Sequence, residues 1–179
     1  MMLDNSLALF FAASRTASGT TFFRLVTTLG SEIFIALLVV ATLVFLWKKG
    51  LHRYMVPLVV GMVGSTASMF VIKYIVARPR PLGAAIIETG YSFPSGHATA
   101  SVMLYGFLLF VILREGKHTR LVMLMQALIP LLIILIGLSR LYLGVHYVSD
   151  VIGGYALGGL WLYFCTRRFS QHTSTVDIP

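Results

Sequence analysis

The side chains most able to do chemistry here are two histidines, one carboxylate and a group of fixed cations. His146 and Asp150 are four residues apart. On a helix that spacing puts them on one face, where the carboxylate can accept an imidazole N–H. Such a bond fixes the tautomer and leaves the second ring nitrogen free to attack an electrophile such as phosphorus. His97 closes the tetrapeptide Pro94-Ser95-Gly96-His97 at the head of a long apolar run. It is left to protonate a departing oxygen and later to activate water, work suited to an imidazole near neutral pH. Ser95 can cap the helix that begins there, Gly96 lets the backbone approach a ligand closely, and the free N–H groups at the helix start favour an anion. Lys73, Arg80 and Arg140 add three permanent positive charges, and the planar fork of arginine matches phosphate oxygens. Together these residues describe a phosphate cradle.

The elements that must hold them belong to a membrane. The chain has 179 residues, 58% hydrophobic and 11% charged, with a mean hydropathy of +0.88, against about 25% charged in an average soluble domain. That composition excludes a disordered chain, a disulfide-built secreted domain and a conventional soluble enzyme. Cys165 is the single cysteine, so no internal disulfide can form. Charge-free runs cover 33–47, 54–72, 89–112, 121–139 and 151–166, each extended by flanking residues toward the roughly 17 to 25 that a spanning helix needs. They lack period-2 alternation and must satisfy their own backbone hydrogen bonds in lipid, so they are expected as helices. The expected fold is all-α, a polytopic membrane bundle of about five transmembrane helices in a single domain over 1–179, with its core at 22–166. The segment 1–30 is expected as N-terminal interfacial helices, and 170–179 as a polar flexible tail.

Charge gives the topology. Lys48, Lys49, Arg53, Arg114, Lys117, Arg120, Arg167 and Arg168 fall in alternate connections or after the last run, so eight of the 14 basic residues share one side. The positive-inside rule makes that side, with the C-terminus, cytoplasmic. The net charge of +8 is then topogenic and lipid-attracting, and no nucleic-acid partner is expected. Lys73, Arg78, Arg80, His97, Arg140, His146 and Asp150 all lie at span ends on the opposite face, where ionisable groups are costly and functional by default. His97, His146 and Asp150 could in principle ligate a metal, but the three nearby cations oppose a divalent ion, so neither metal nor cofactor is expected.

Other residues read more plainly. Arg78, held on the stiff Arg-Pro-Arg-Pro turn, is favoured as a headgroup-facing charge over a second phosphate contact. His52, His118 and His172 read as interfacial, and Tyr142 and Tyr147 as an aromatic belt. Glu88 and Tyr91 could gate the site or simply solvate the loop. Gly153, Gly154, Gly158 and Gly159 offer a small-residue face, best spent on packing inside the bundle.

Three strings in order make the chain resemble the type 2 phosphatidic acid phosphatase family, membrane lipid phosphatases related in fold to vanadium-dependent haloperoxidases. KYIVARPRP, from Lys73 to Pro81, fits K-x6-R-P; PSGH spans Pro94 to His97; and SRLYLGVHYVSD, from Ser139 to Asp150, fits S-R-x5-H-x3-D. The resemblance implies metal-independent hydrolysis of a phosphate monoester or pyrophosphate through a phosphohistidine on the outer or periplasmic face. His146 looks like the nucleophile, Asp150 its orienter, His97 the acid, and Lys73, Arg80, Ser95, Gly96 and Arg140 the phosphate ligands. The expected protein is a multi-pass inner-membrane lipid phosphatase acting on a phospholipid, polyprenyl or lipid A phosphate, with oligomeric state open. Many bacterial members have six spans, and interfacial helices stand here in place of the first. An anion or lipid transporter or scramblase is the alternative; it would want polar groups continuing through the bilayer, and the cytoplasmic halves of the runs hold none. A haloperoxidase would share the cradle, normally in a soluble protein.

Overall fold

The apolar runs fold as helices, several of them started by a short polar side chain. The computed structural model describes residues 2–116 and 119–172. Within them lie α1 (Met2–Ala13), α2 (Ala17–Thr28), α3 (Glu32–Lys48), α4 (Met55–Val76), α5 (Gly96–Glu115), α6 (Arg120–Tyr142) and α7 (Val148–His172), with one 3-10 turn at His52–Tyr54. The described residues contain no strand. The hydroxyls of Thr16, Ser31 and Thr119 accept the N–H groups of Gly19, Phe34 and Val122 at 3.1, 3.4 and 3.3 Å, starting α2, α3 and α6. Among the described residues, five helical segments are long and apolar enough to cross a membrane: Ala17–Lys48, His52–Val76, Gly96–Glu115, Arg120–Tyr142 and Val148–Arg167. The first joins α2 to α3 through the turn at 29–31. This is the expected multi-pass helical bundle, with one difference: α2, expected to lie in the interface with the rest of 1–30, falls inside the first candidate span. Lys117, His118 and the tail beyond 172 lie outside the described residues.

The third charge-free run begins at 89 in sequence, but α5 starts at Gly96, just after Ser95 as the Pro94-Ser95-Gly96-His97 string predicts. Pro94 has no backbone N–H and disfavours helix in the residue before it, so 77–95 stays a loop.

Helix α5 occupies the centre, packed on α3, α4, α6 and α7. Glycines on α7 set the closest approach. A Cβ on Gly154 would lie 2.6 Å from the Ser95 carbonyl oxygen, and one on Gly158 would lie 2.5 Å from that of Thr99. Gly153 faces the Phe93 ring, whereas Gly159 meets nothing within 4 Å. Three of the four glycines thus serve packing inside the bundle, as expected, and Gly159 does not. Below this contact, Leu46, Leu58, Met103, Leu104, Phe107 and Ile136 form the dry core. Leu37, Val40 and Phe45 of α3, Val56 and Val63 of α4, and Leu131 and Ile134 of α6 point outward and exposed. A helix apolar on its outer face as well as its inner one suits lipid.

The two ends of the bundle differ in charge. At one, Arg53 and the Tyr54 hydroxyl both bond Glu115, tying the α3–α4 connection to the end of α5. At the other, α1 and α2 pack on α6, and α1 also reaches α7. The candidate chemistry sits at this second end.

Candidate active site

The phosphate-type residues are brought together by three chain breaks. Helix α4 ends at Ala77, whose φ of 47° is left-handed, and the Arg-Pro-Arg-Pro turn then carries Arg78 and Arg80 back over the bundle end. Helix α6 stops at Tyr142, and Gly144, with φ of 73°, turns the chain so that α7 can begin at Val148. Residues other than glycine rarely adopt that φ, and a Cβ here would also strike the Arg15 guanidinium at 2.0 Å. Finally, the Ser95 N–H donates to the Asp150 carbonyl at 3.0 Å, joining the start of α5 to the first turn of α7.

His146 lies in the turn just before α7 and not on the helix, as the four-residue spacing had suggested. The pair still forms: its Nδ1 is 3.5 Å from Asp150 Oδ2. That oxygen also accepts the Tyr147 N–H at 2.8 Å, while Oδ1 accepts from Arg78 Nη1 at 2.7 Å. The Nε2 side of the ring faces Arg80 Nη1 at 3.4 Å. Burial lowers the His146 imidazole to about 4 against the raising effect of Asp150, and the Arg140 and Arg80 charges lower it further. The ring is therefore neutral at pH 7, the form able to act as a nucleophile.

Arg80 donates to the carbonyls of Gly90, Thr89 and Val145 at 3.1, 2.9 and 2.9 Å, which aims its guanidinium at His146. Arg140 is almost wholly buried; it donates from Nη1 to Thr27 Oγ1 at 2.7 Å and from Nη2 to Glu88 Oε1. Glu88 Oε2 lies 3.5 Å from Arg80 Nη2. A carboxylate is thus clasped between the two arginines beside the histidine. Burial would raise the Glu88 carboxyl, but the charge and hydrogen bond of Arg140, with the charge of Arg80, hold it below the usual range. His97 opens α5 within electrostatic reach of Arg140, His146 and Arg80. Ser95 Oγ, Ser101 Oγ and Arg140 Nε are buried with no hydrogen-bond partner among the described residues, and His146 Nδ1 has only its long approach to Asp150. Unmatched buried donors of this kind usually mark a place where a ligand or water completes the bonding.

The order of these residues along the chain decides the family, since the PAP2 superfamily profile matches residues 54–174. The chain belongs to the PAP2 superfamily. Among curated relatives it is 36% identical over 106 residues to phosphatidylglycerophosphatase B of Bacillus subtilis, covering 56% of this chain and 50% of that protein. It is 30% identical over 143 residues to an undecaprenyl-diphosphatase of Sulfolobus acidocaldarius, covering 74% of this chain and 62% of that one. The chain thus spans about half the length of the first of these relatives. In fold it is similar to the transmembrane PAP2-type phosphatidylglycerolphosphate phosphatase from Bacillus subtilis, with a TM-score of 0.83 at 24% identity over 94% of this chain and 85% of that one. The crystal structure of Aquifex aeolicus LpxE superposes with a TM-score of 0.75 at 23% identity over 92% of this chain and 95% of that one.

In this PAP2 bundle His146, Asp150, Arg80 and Arg140 converge directly, and Ser95, Gly96 and His97 arrive with the start of α5. Lys73 reaches the rim: its Nζ donates to the carbonyls of Tyr91 and Pro94 at 2.8 and 3.1 Å, fixing the loop that leads into Ser95. Ser95 stands at the N-cap position, but its hydroxyl makes no capping bond, so the expected cap is not formed and the hydroxyl stays unspent.

Other expectations need correction. Arg78 does not face headgroups; it pairs with Asp150 and with Asp4 of α1, and only 16% of its side chain is exposed. Both carboxylates draw it inward more strongly than water would. Tyr147 lies under that guanidinium, 4.1 Å from carbon to ring centre, and Tyr142 stacks on Phe23 of α2 at 4.4 Å, so neither serves simply as a belt residue. Glu88 belongs to the site. Asp4, Thr27 and Ser149 were missed altogether. For Asp4 the available signal was scarcity, since it is one of only six acidic residues in so apolar a chain; Thr27 and Ser149 carried none.

Proposed function

We propose that this protein is an integral membrane lipid phosphatase that removes a terminal phosphate, or cleaves a pyrophosphate, from a membrane lipid through a phosphohistidine. The observation that carries this reading is the Glu88 carboxylate held between Arg140 and Arg80, 3.5 Å from the latter, with His146 Nε2 3.4 Å from the same guanidinium. An oxyanion already occupies the bed that a phosphoryl group would take, next to a neutral imidazole nitrogen.

The geometry supports the following reaction. Phosphate oxygens displace Glu88 and are gripped by Arg80 and Arg140, with Ser95 Oγ and the N–H groups at the start of α5 completing the cradle. His146 Nε2 attacks phosphorus; the ester oxygen leaves and takes a proton from His97. Asp150 stabilises the positive charge on the phosphorylated ring. His97 then removes a proton from water, whose oxygen attacks phosphorus, the P–N bond breaks, and inorganic phosphate departs. No metal enters this sequence. The substrate class has support in the relatives, a phosphatidylglycerophosphatase and an undecaprenyl-diphosphatase.

A lipid substrate also suits the surroundings. An apolar groove of about 650 Å³, open along the outer face, lies between α3, α4 and α5, running from Gly30 and Gly96 at the site past Val39, Val40, Met62 and Val63. That volume is in the range of ligand pockets, about 300 to 1,000 Å³, and its walls would accept a hydrocarbon chain. The basic loops support a cytoplasmic C-terminus and a site on the periplasmic or outer face of the inner membrane. The test is phosphate release in EDTA from a panel of phosphatidic acid, phosphatidylglycerophosphate, undecaprenyl diphosphate and lipid A phosphate. Turnover should vanish in His146→Ala and His97→Ala; lipid flux in vesicles that survives His146→Ala would favour the transporter reading instead.

A further inference from the structure

One acidic side chain enters the site from outside the spanning helices. Asp4 of α1 accepts from Arg78 Nη2 at 2.9 Å, from the Ser149 hydroxyl at 2.7 Å and from the Ser149 N–H at 3.1 Å. Arg78 Nη1 donates in turn to Asp150 Oδ1 at 2.7 Å and to Ser149 Oγ at 2.6 Å. Asp150 then faces His146 Nδ1 at 3.5 Å. The four side chains form one line of alternating charge that ends on the imidazole. Asp150 is fully buried, and the side chains of Arg78 and Asp4 are 16% and 13% exposed, so water screens this line only partly.

We propose that Asp4 is a positioning residue for the His146–Asp150 pair, acting through Arg78, and that α1 thereby belongs to the phosphoryl-transfer apparatus. The proposal rests on His146 being the nucleophile. A guanidinium bonded to Asp150 alone would place its whole charge on that carboxylate and weaken the field Asp150 exerts on the ring. Shared between two carboxylates, Arg78 leaves Asp150 a net negative partner for the charge that His146 acquires on phosphorylation. The bonds from Arg78 Nη1 also fix the carboxylate plane, since Oδ2 is held separately by the Tyr147 N–H at 2.8 Å. Asp4 is the only charged residue of α1. The remaining groups facing the ring are Arg80 from the loop after α4, Glu88 further along it, His97 from α5 and Arg140 from α6, and none of them touches Asp4.

A structural role is also built into Asp4, because its Oδ1 caps the first turn of α7 at Ser149. Asparagine caps helices as well as aspartate does, so Asp4→Asn can keep the cap through Oδ1 and removes the charge together with the Oδ2 acceptor that Arg78 uses. The full-length protein in detergent, with EDTA and a single lipid phosphomonoester, gives kcat and KM across about pH 3 to 8. In Asp4→Asn the acidic limb of kcat should move down by about half a pH unit, and kcat should fall roughly threefold, since half a unit of differential charge stabilisation is about that factor. KM should stay within about twofold, and Asp4→Glu should restore both the limb and kcat. An unmoved limb in Asp4→Asn, beside an inactive His146→Ala control, overturns the proposal and leaves Asp4 a cap alone. The same holds if Asp4→Ala lowers the unfolding temperature without moving the limb. A His146→Ala protein that still turns over lipid removes the nucleophile, and this proposal with it.

Discussion

Replacing Glu88 by Gln should make inorganic phosphate and vanadate better inhibitors. The carboxylate takes an N–H from Arg140 and lies 3.5 Å from Arg80, so any phosphoryl group must first displace it. A hydrogen bond between charged partners contributes about 1.5 to 3 kcal/mol, and a neutral amide acceptor in the same place contributes roughly half of that. With the Glu88 side chain 27% exposed, solvent recovers part of the difference, which leaves about 0.5 to 1 kcal/mol in favour of the incoming anion. That corresponds to an inhibition constant lower by about two- to fivefold. Because the arginines hold Glu88 ionised below the usual carboxylate range, the gain should persist across about pH 5 to 8. Steady-state inhibition with a lipid phosphomonoester in EDTA measures it directly. Weaker or unchanged inhibition in Glu88→Gln would falsify the view that this carboxylate stands in the phosphate bed, and would make it a brace for Arg140 instead.

Thr27→Val removes the acceptor that holds Arg140 Nη1 at 2.7 Å; kcat/KM should fall by about tenfold or more, as for loss of a buried bond to a charge, with Thr27→Ser nearly normal in the same assay. Gly158→Ala drives a Cβ to 2.5 Å from the Thr99 carbonyl oxygen and should cost about 1 to 3 kcal/mol in detergent unfolding, whereas Gly159→Ala, with nothing within 4 Å, should leave unfolding unchanged. Burial holds the His146 ring at about 4 when folded, against about 6.5 in an unfolded chain. The unfolded state then binds more protons between those values, so stability should be full above about pH 6.5 and decline as pH falls toward 4. Unfolding followed against pH should show a shallower decline in His146→Gln; an equal slope in both proteins would remove burial of a neutral His146 from the explanation.

The sequence made the bundle legible because lipid imposes a strong rule: charge-free runs of sufficient length must be helices, and five of them were countable. The rim residues were legible for the same reason, since Arg140 or His146 at membrane depth is too costly to be incidental. What escaped was partnership across long separations. Asp4 meets Arg78 and Ser149 through 74 and 145 residues of chain, and no local spacing encodes that. Glu88 lies in a loop with no period to read, so its bond to Arg140 emerged only from the fold. The four-residue step from His146 to Asp150 suggested a shared helix, yet the chain needs the turn at Gly144 first, and the pair forms across the helix start. Even the glycine face was readable only in part, because which of Gly153, Gly154, Gly158 and Gly159 meets α5 depends on how α7 is rotated.

The central claim is that the phosphoryl group passes through a covalent bond to His146, and trapping that bond tests it most directly. The full-length protein is mixed in EDTA with a lipid carrying a labelled terminal phosphate, quenched in alkali within a turnover, and mapped by peptide mass spectrometry. Label stable to base, labile to acid and confined to His146 is the expected result, with none in His146→Ala. Steady turnover with no label on His146, or label that settles on His97, would contradict it.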